Sequence, residues 1–115
     1  MKFARQFTGE FIGTFLMCFL GIGAVATATL FGALTGPGQV GLVWGIAIAL
    51  GIYITRNLSD AHFNPAVSLS MILAGKMKLR DLPAYLLGQC AGAFLAAGAL
   101  WVMFGDSVAK NLSNN

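Results

Sequence analysis

Few side chains in this sequence are of types that could do chemistry. His62 is the only histidine of the chain. It stands two residues before Asn64-Pro65-Ala66, inside "AHFNPAVSLSM", residues 61 to 71. A histidine without a nucleophile at matched spacing makes no nucleophile–base pair. Cys18 and Cys90 lie in separate apolar runs with no C-x-x-C spacing, which reads as two small buried hydrophobes rather than a metal or redox pair. No catalytic residue, metal or cofactor is therefore expected, and the chain is not expected to be an enzyme. Two groups remain. Asn64 is a polar amide where a helix would start, and Glu10 is a carboxylate inside an apolar run, where it needs partners.

The elements that must position these groups follow from composition. Of 115 residues, 57% are hydrophobic and only 10% charged, with a mean hydropathy of +0.78. No Asp, Glu, Lys or Arg occurs from Phe11 to Thr55 or from Leu82 to Gly105. A helix needs about 20 apolar residues to cross the hydrocarbon of a bilayer, and both stretches exceed that. The run near the N-terminus is too long for the apolar core of a signal peptide, although "ATA" at 26 to 28 resembles a cleavage site. "GALTGPGQVG", residues 32 to 41, is turn chemistry. The reading is a single membrane domain with helices over 7–31, 39–55 and 83–104, and a polar tail over 105–115. The net charge of +3 does not indicate nucleic acid, because the basic residues flank the spans. Lys2, Arg5, Arg56, Lys76, Lys78 and Arg80 fall on one side and Lys110 on the other, which predicts a multi-pass protein with a cytoplasmic N-terminus. Gly9 and Gly13, Gly41 and Gly45, and Gly88 and Gly92 are pairs four apart that allow close helix packing.

Between the second and third spans the quoted stretch is apolar but too short to cross. Asn64 suits an N-cap, Pro65 the first helical position and Gly75 a C-terminal stop. A helix over 65–75 would be about 16 Å long, half the hydrocarbon thickness. Its far end carries Lys76, Lys78 and Arg80. Two placements fit these residues: a re-entrant loop over 56–64 leading to a half-helix, or a cytoplasmic loop with an interfacial helix. In the first, the irregular backbone at that depth must be buried by protein or line a water-filled cavity. An amide at a helix N-terminus would then favour a neutral polar permeant and oppose cations.

"SDAHFNPAVS", residues 59 to 68, resembles the first signature of the aquaporin and glycerol-facilitator (major intrinsic protein) family, SGAHxNPAVT. "GEFIGTF", "LVWGIAIALGIYIT" and "GQCAGAFLAA" resemble the first, second and third helices of that family, in order. The resemblance implies an all-α membrane protein: three transmembrane helices plus one re-entrant NPA half-helix, one inverted repeat of the aquaporin fold. It implies that Asn64, with Pro65 and Ala66 shaping the turn, donates its amide to a permeating oxygen. Asp60, Ala61 and His62 would offer carbonyls along the path, and Glu10 and Gln89 would brace the loop. Trp44 falls where the constriction of the glycerol-conducting branch has tryptophan and strict water channels have phenylalanine. The implied partners are the lipid bilayer, glycerol, water or other small neutral solutes, and tetramer neighbours.

Three departures stand out. Asp60 replaces a glycine of the signature, which brings a charge and raises the question of the backbone conformation there. Ser68 replaces threonine. The sequence matches one repeat, so the N-terminal half of a channel that needs a second half is the expectation. Arg56 lies on the wrong side to be the arginine of the constriction. The competing readings are a non-conducting membrane subunit that packs with or regulates full-length channels, and a water-selective half.

Overall fold

The computed structural model describes residues 2–115. Three long helices, α1 (Lys2–Phe31), α2 (Pro37–Thr55) and α4 (Leu82–Ser113), are each apolar and long enough to cross a membrane. A nine-residue helix, α3 (Pro65–Leu73), lies between α2 and α4, and a single 3₁₀ turn, Leu79–Asp81, precedes α4. There is no strand among the described residues. The architecture is all-helical, with α1 in the middle: it packs along both α2 and α4.

Glycine decides where the backbones meet. A methyl group added at Gly88 would sit 2.6 Å from the Phe7 carbonyl oxygen, and one at Gly92 would overlap the Phe11 carbonyl. The pair Gly88/Gly92 is therefore the contact through which α4 reaches the backbone of α1. In lipid, where apolar side chains gain little by leaving the tails, such close approach supplies much of the packing energy. Gly9 and Gly13 receive not a helix but the 59–63 loop. Gly41 and Gly45 meet nothing within 4 Å.

Beyond a one-residue shift at the start of α4, which is Leu82 instead of residue 83, element ends differ from the sequence reading in four places. α1 begins at Lys2 instead of residue 7, and α2 at Pro37 instead of 39, with the proline in its first turn. The short helix ends at Leu73, two residues early. Gly75 then takes a left-handed φ of +71°, its N–H bonds the Ile72 carbonyl at 2.9 Å and the Lys76 N–H bonds the Met71 carbonyl at 2.9 Å, a Schellman closure. The largest difference is at the other end. The stretch 105–115, read as a polar tail, continues α4 to Ser113. It contains no proline and no glycine after Gly105, and Val108 and Leu112 line a shared apolar groove with Ile22, Val25 and Leu30 of α1. Packing against α1 extends the helix through residues whose polarity suggested a tail. The cysteines also differ from expectation: Cys90 is exposed on the outer face of α4 and Cys18 only part-buried.

Gly92→Ala should lower the melting temperature of the detergent-solubilised chain, corresponding to a loss of about 1–3 kcal/mol from overpacking. Gly98→Ala, where the added carbon meets nothing within 4 Å, should be neutral or slightly stabilising. Equal melting of the two variants would remove the Gly88/Gly92 contact as the α1–α4 determinant.

Candidate functional site

After Thr55 the chain turns back into the bundle. The Phe63 ring lies against Gly13 of α1 and Gly51 of α2, where only glycine leaves room for it. Gly13 is eleven residues into α1, about 16 Å along its axis. The loop tip is thus well inside the bundle, and its backbone needs partners there.

Glu10 supplies them. Its side chain is fully buried, and it accepts four hydrogen bonds. The Ser59 hydroxyl (2.7 Å) and the His62 N–H (3.0 Å) reach Oε1; the Phe63 N–H (2.7 Å) and Gln89 Nε2 (2.8 Å) reach Oε2. All four neighbours are donors, which matches the lone pairs of a carboxylate. Gln89, from α4, also donates to Ser68 Oγ at 3.1 Å, and that hydroxyl lies 3.0 Å from His62 Nδ1. One buried network therefore ties α1, the loop, α3 and α4 together. The His62 ring packs against Tyr85 in a tilted arrangement, centroids 4.8 Å apart and planes at 41°, while its Nε2 is buried with no partner among the described residues.

The anchoring also orients the other side of the loop. In a trans peptide the N–H of one residue points opposite to the C=O of the residue before it, and no cis bond is present among the described residues. Ala61 N–H bonds Ser59 Oγ (3.1 Å), and His62 and Phe63 N–H bond Glu10. The carbonyls of Asp60, Ala61 and His62 accordingly face away from the network, and none accepts a hydrogen bond from a described residue. Ala61 and Phe63 hold left-handed φ angles of 53° each, an uncommon conformation for residues with a Cβ that the surrounding hydrogen bonds maintain.

Asp60, the unexpected residue, is not one of the left-handed positions. The concern that it occupies a conformation suited to glycine does not apply. Its N–H donates to Tyr85 Oη and the Tyr85 hydroxyl donates to Oδ2, both at 3.1 Å. Asn64 caps α3: its Oδ1 accepts from the Ala66 N–H at 2.8 Å. Because the cap consumes the oxygen, the exposed end of the side chain is the NH₂ group, which bonds no described residue. Trp44 stands apart. Its ring covers Gly21 of α1, and it lies seven residues before Gly51 on α2, about 10 Å further from the loop tip. It is half-buried.

Glu10 and Gln89 were expected at the loop, Gln89 only through the family resemblance, and the parts played by Ser59, Ser68 and Tyr85 were not anticipated. The available signal was spacing: Tyr85 and Gln89, and Asn64 and Ser68, are each four apart and share a helix face. Glu10→Gln replaces two acceptor oxygens by one oxygen and one NH₂, which turns a donor toward the loop N–H groups. It should cost about 2–4 kcal/mol in thermal unfolding. Tyr85→Phe, which removes both part-buried hydrogen bonds to Asp60, should cost about 1–2 kcal/mol. Glu10→Gln melting like the wild type would show that the loop does not depend on the carboxylate.

Comparison with known proteins agrees with this architecture. The model of the family "Major intrinsic protein" matches residues 1–115. Aquaporin NIP1-1 of Zea mays is 44% identical over 106 residues, which is 91% of this chain and 37% of that protein. The glycerol uptake facilitator protein of Pseudomonas aeruginosa is 38% identical over 99 residues, 86% of this chain and 36% of the other. The X-ray structure of the aquaglyceroporin from Plasmodium falciparum superposes with a TM-score of 0.85 at 35% identity, covering 94% of this chain and 45% of that one. The chain thus spans little more than a third of the length of these curated relatives. Matched along its whole length by the family model, with a three-helix and half-helix architecture shared with a solved relative, the chain belongs to the major intrinsic protein family.

Proposed function

We propose that this chain forms one half of the wall of a passive channel for glycerol, other small neutral solutes and water, and that a second half, from continuous sequence or another chain, closes the pore. It acts as a transport protein and not as an enzyme. It sits in the cell membrane with its N-terminus cytoplasmic, the side on which positive-inside bias puts six of its seven basic residues. The observation that carries the reading is the division of polar groups at the loop tip. Every loop N–H from Asp60 to Phe63 is bound inside the protein. The carbonyls of Asp60 to His62 and the Asn64 NH₂ are left for a permeant, which meets acceptors along the loop and a donor at the helix start.

Such an arrangement replaces the hydration of a hydroxyl-bearing solute without offering a charge at the tip, and the N-terminal end of α3 opposes cations. Trp44, half-buried over Gly21, supplies an apolar face further along, suited to the carbon edge of a polyol. The names of the relatives, a glycerol uptake facilitator and an aquaglyceroporin, point to the same solute class. Gly41 and Gly45, which meet nothing in this chain, leave part of α2 open to a further wall.

Osmotic reswelling of proteoliposomes in glycerol and in an impermeant sugar tests the proposal. The chain alone should give background permeability. Reconstitution with the C-terminal half of the Pseudomonas aeruginosa relative should give glycerol entry that is lost with Asn64→Leu. Glycerol entry indifferent to Asn64→Leu would overturn the assignment of the path. In the complete pore, Trp44→Phe should lower glycerol flux relative to water by about tenfold, the scale of one reshaped apolar contact. An unchanged ratio would remove Trp44 from the narrow point.

A further inference from the structure

We propose that the end of the bundle where α1 begins carries a binding site for a phosphoryl group. A cavity of about 590 Å³ opens there, and its lining includes Lys2, Arg5, Arg56, Lys76 and Lys78. These five cations come from the start of α1, the turn after α2 and the turn after α3. Membrane orientation requires basic residues on that side of the bilayer, but not that three separate segments bring them to one concavity. Low-dielectric walls lined by one sign of charge concentrate the potential within such a hollow.

Two carboxylates share the lining, Asp60 and Asp81. Asp81 is spent on Lys2, with Nζ 2.6 Å from Oδ2. Arg5 is held in place by the Asn57 carbonyl at 2.6 Å, a neutral partner that leaves its charge uncompensated. Arg56 lies over the Tyr53 ring, 5.6 Å from its centroid. Lys76 and Lys78 form no ion pair with a described residue. Asp60 is thus the one carboxylate facing Arg5, Arg56, Lys76 and Lys78, and the hollow keeps a surplus of positive charge. A phosphoryl group, with about two negative charges and three free oxygens as a monoester and a single charge on two free oxygens as a lipid diester, accepts from several of these cationic donors at once. The volume leaves room for the remainder of a phosphate ester. Such a group reaches this surface from two sources, a soluble phosphate ester or the headgroup of an anionic lipid. Ser59 and Asp60 belong to the same lining, so the occupant sits directly below the loop. The inference does not depend on conduction.

The test uses the full chain in nanodiscs of phosphatidylcholine, titrated with inorganic phosphate and followed by calorimetry. A parallel set contains phosphatidylglycerol and is followed by thermal unfolding. For a soluble ligand, phosphate binds in the phosphatidylcholine discs. The double variant Lys76→Gln/Lys78→Gln weakens it by about tenfold or more, at the scale of surface lysines acting on phosphate. Asp60→Asn tightens it. Lys110→Gln, which removes the same type of charge from the far end of α4, about 40 Å away along the helix, leaves it unchanged. For a lipid ligand, phosphatidylglycerol raises the melting temperature, and the rise is lost in the double lysine variant but kept in Lys110→Gln. Absence of both responses overturns the site. So does a response that Lys110→Gln diminishes as much as the lysine pair, since that reports net charge alone.

Discussion

A loop turned into the interior of a membrane bundle has backbone N–H groups that neither water nor lipid can satisfy, and everything else in this structure follows from how Glu10 meets that demand. One carboxylate accepts two consecutive loop amides, a serine hydroxyl and a glutamine amide. Without it each buried donor would carry its full desolvation cost. With it, a buried acid that would be unfavourable alone becomes the fixed point to which α1, α3, α4 and the loop are all attached.

Steric room is the second condition. The loop can reach Glu10 only because α1 and α2 present glycine where it passes: Gly9 under Ser59, and Gly13 and Gly51 around the Phe63 ring. The same device on α4, Gly88 and Gly92, brings Gln89 close enough to α1 to complete the carboxylate's coordination. Packing and polar satisfaction are thus coupled. A small residue in one helix is what lets a polar residue in the next find its partner.

Binding the amides on one side exposes the carbonyls on the other, because a trans peptide cannot present both in one direction. The capping of α3 works in the same way, since Asn64 must turn its oxygen to the helix and its NH₂ outward. The polar character of the open surface is therefore a consequence of how the loop is anchored, and not of which polar side chains happen to line it. Asp60, although charged, is directed to Tyr85 at the outer end of the loop rather than to its tip.

Much of this was legible in the residues. Charge-free runs from Phe11 to Thr55 and from Leu82 to Gly105 make membrane helices unavoidable, because no charged group interrupts the apolar length. Asn64-Pro65 fixes where α3 starts, since a cap oxygen and a pre-set φ suit only that position. The pairing of the Asp60 side chain with Tyr85 and the parts of Ser59 and Ser68 could not be assigned from the sequence, because they depend on partners up to 49 residues away. The helical extension to Ser113 likewise escaped a reading based on polarity, since it depends on α1 running alongside. Local chemistry and hydrophobic length, which act over a few neighbours, were determined by the sequence itself. The direction of each buried polar group was decided only by the tertiary structure, because a hydrogen bond needs its partner in place.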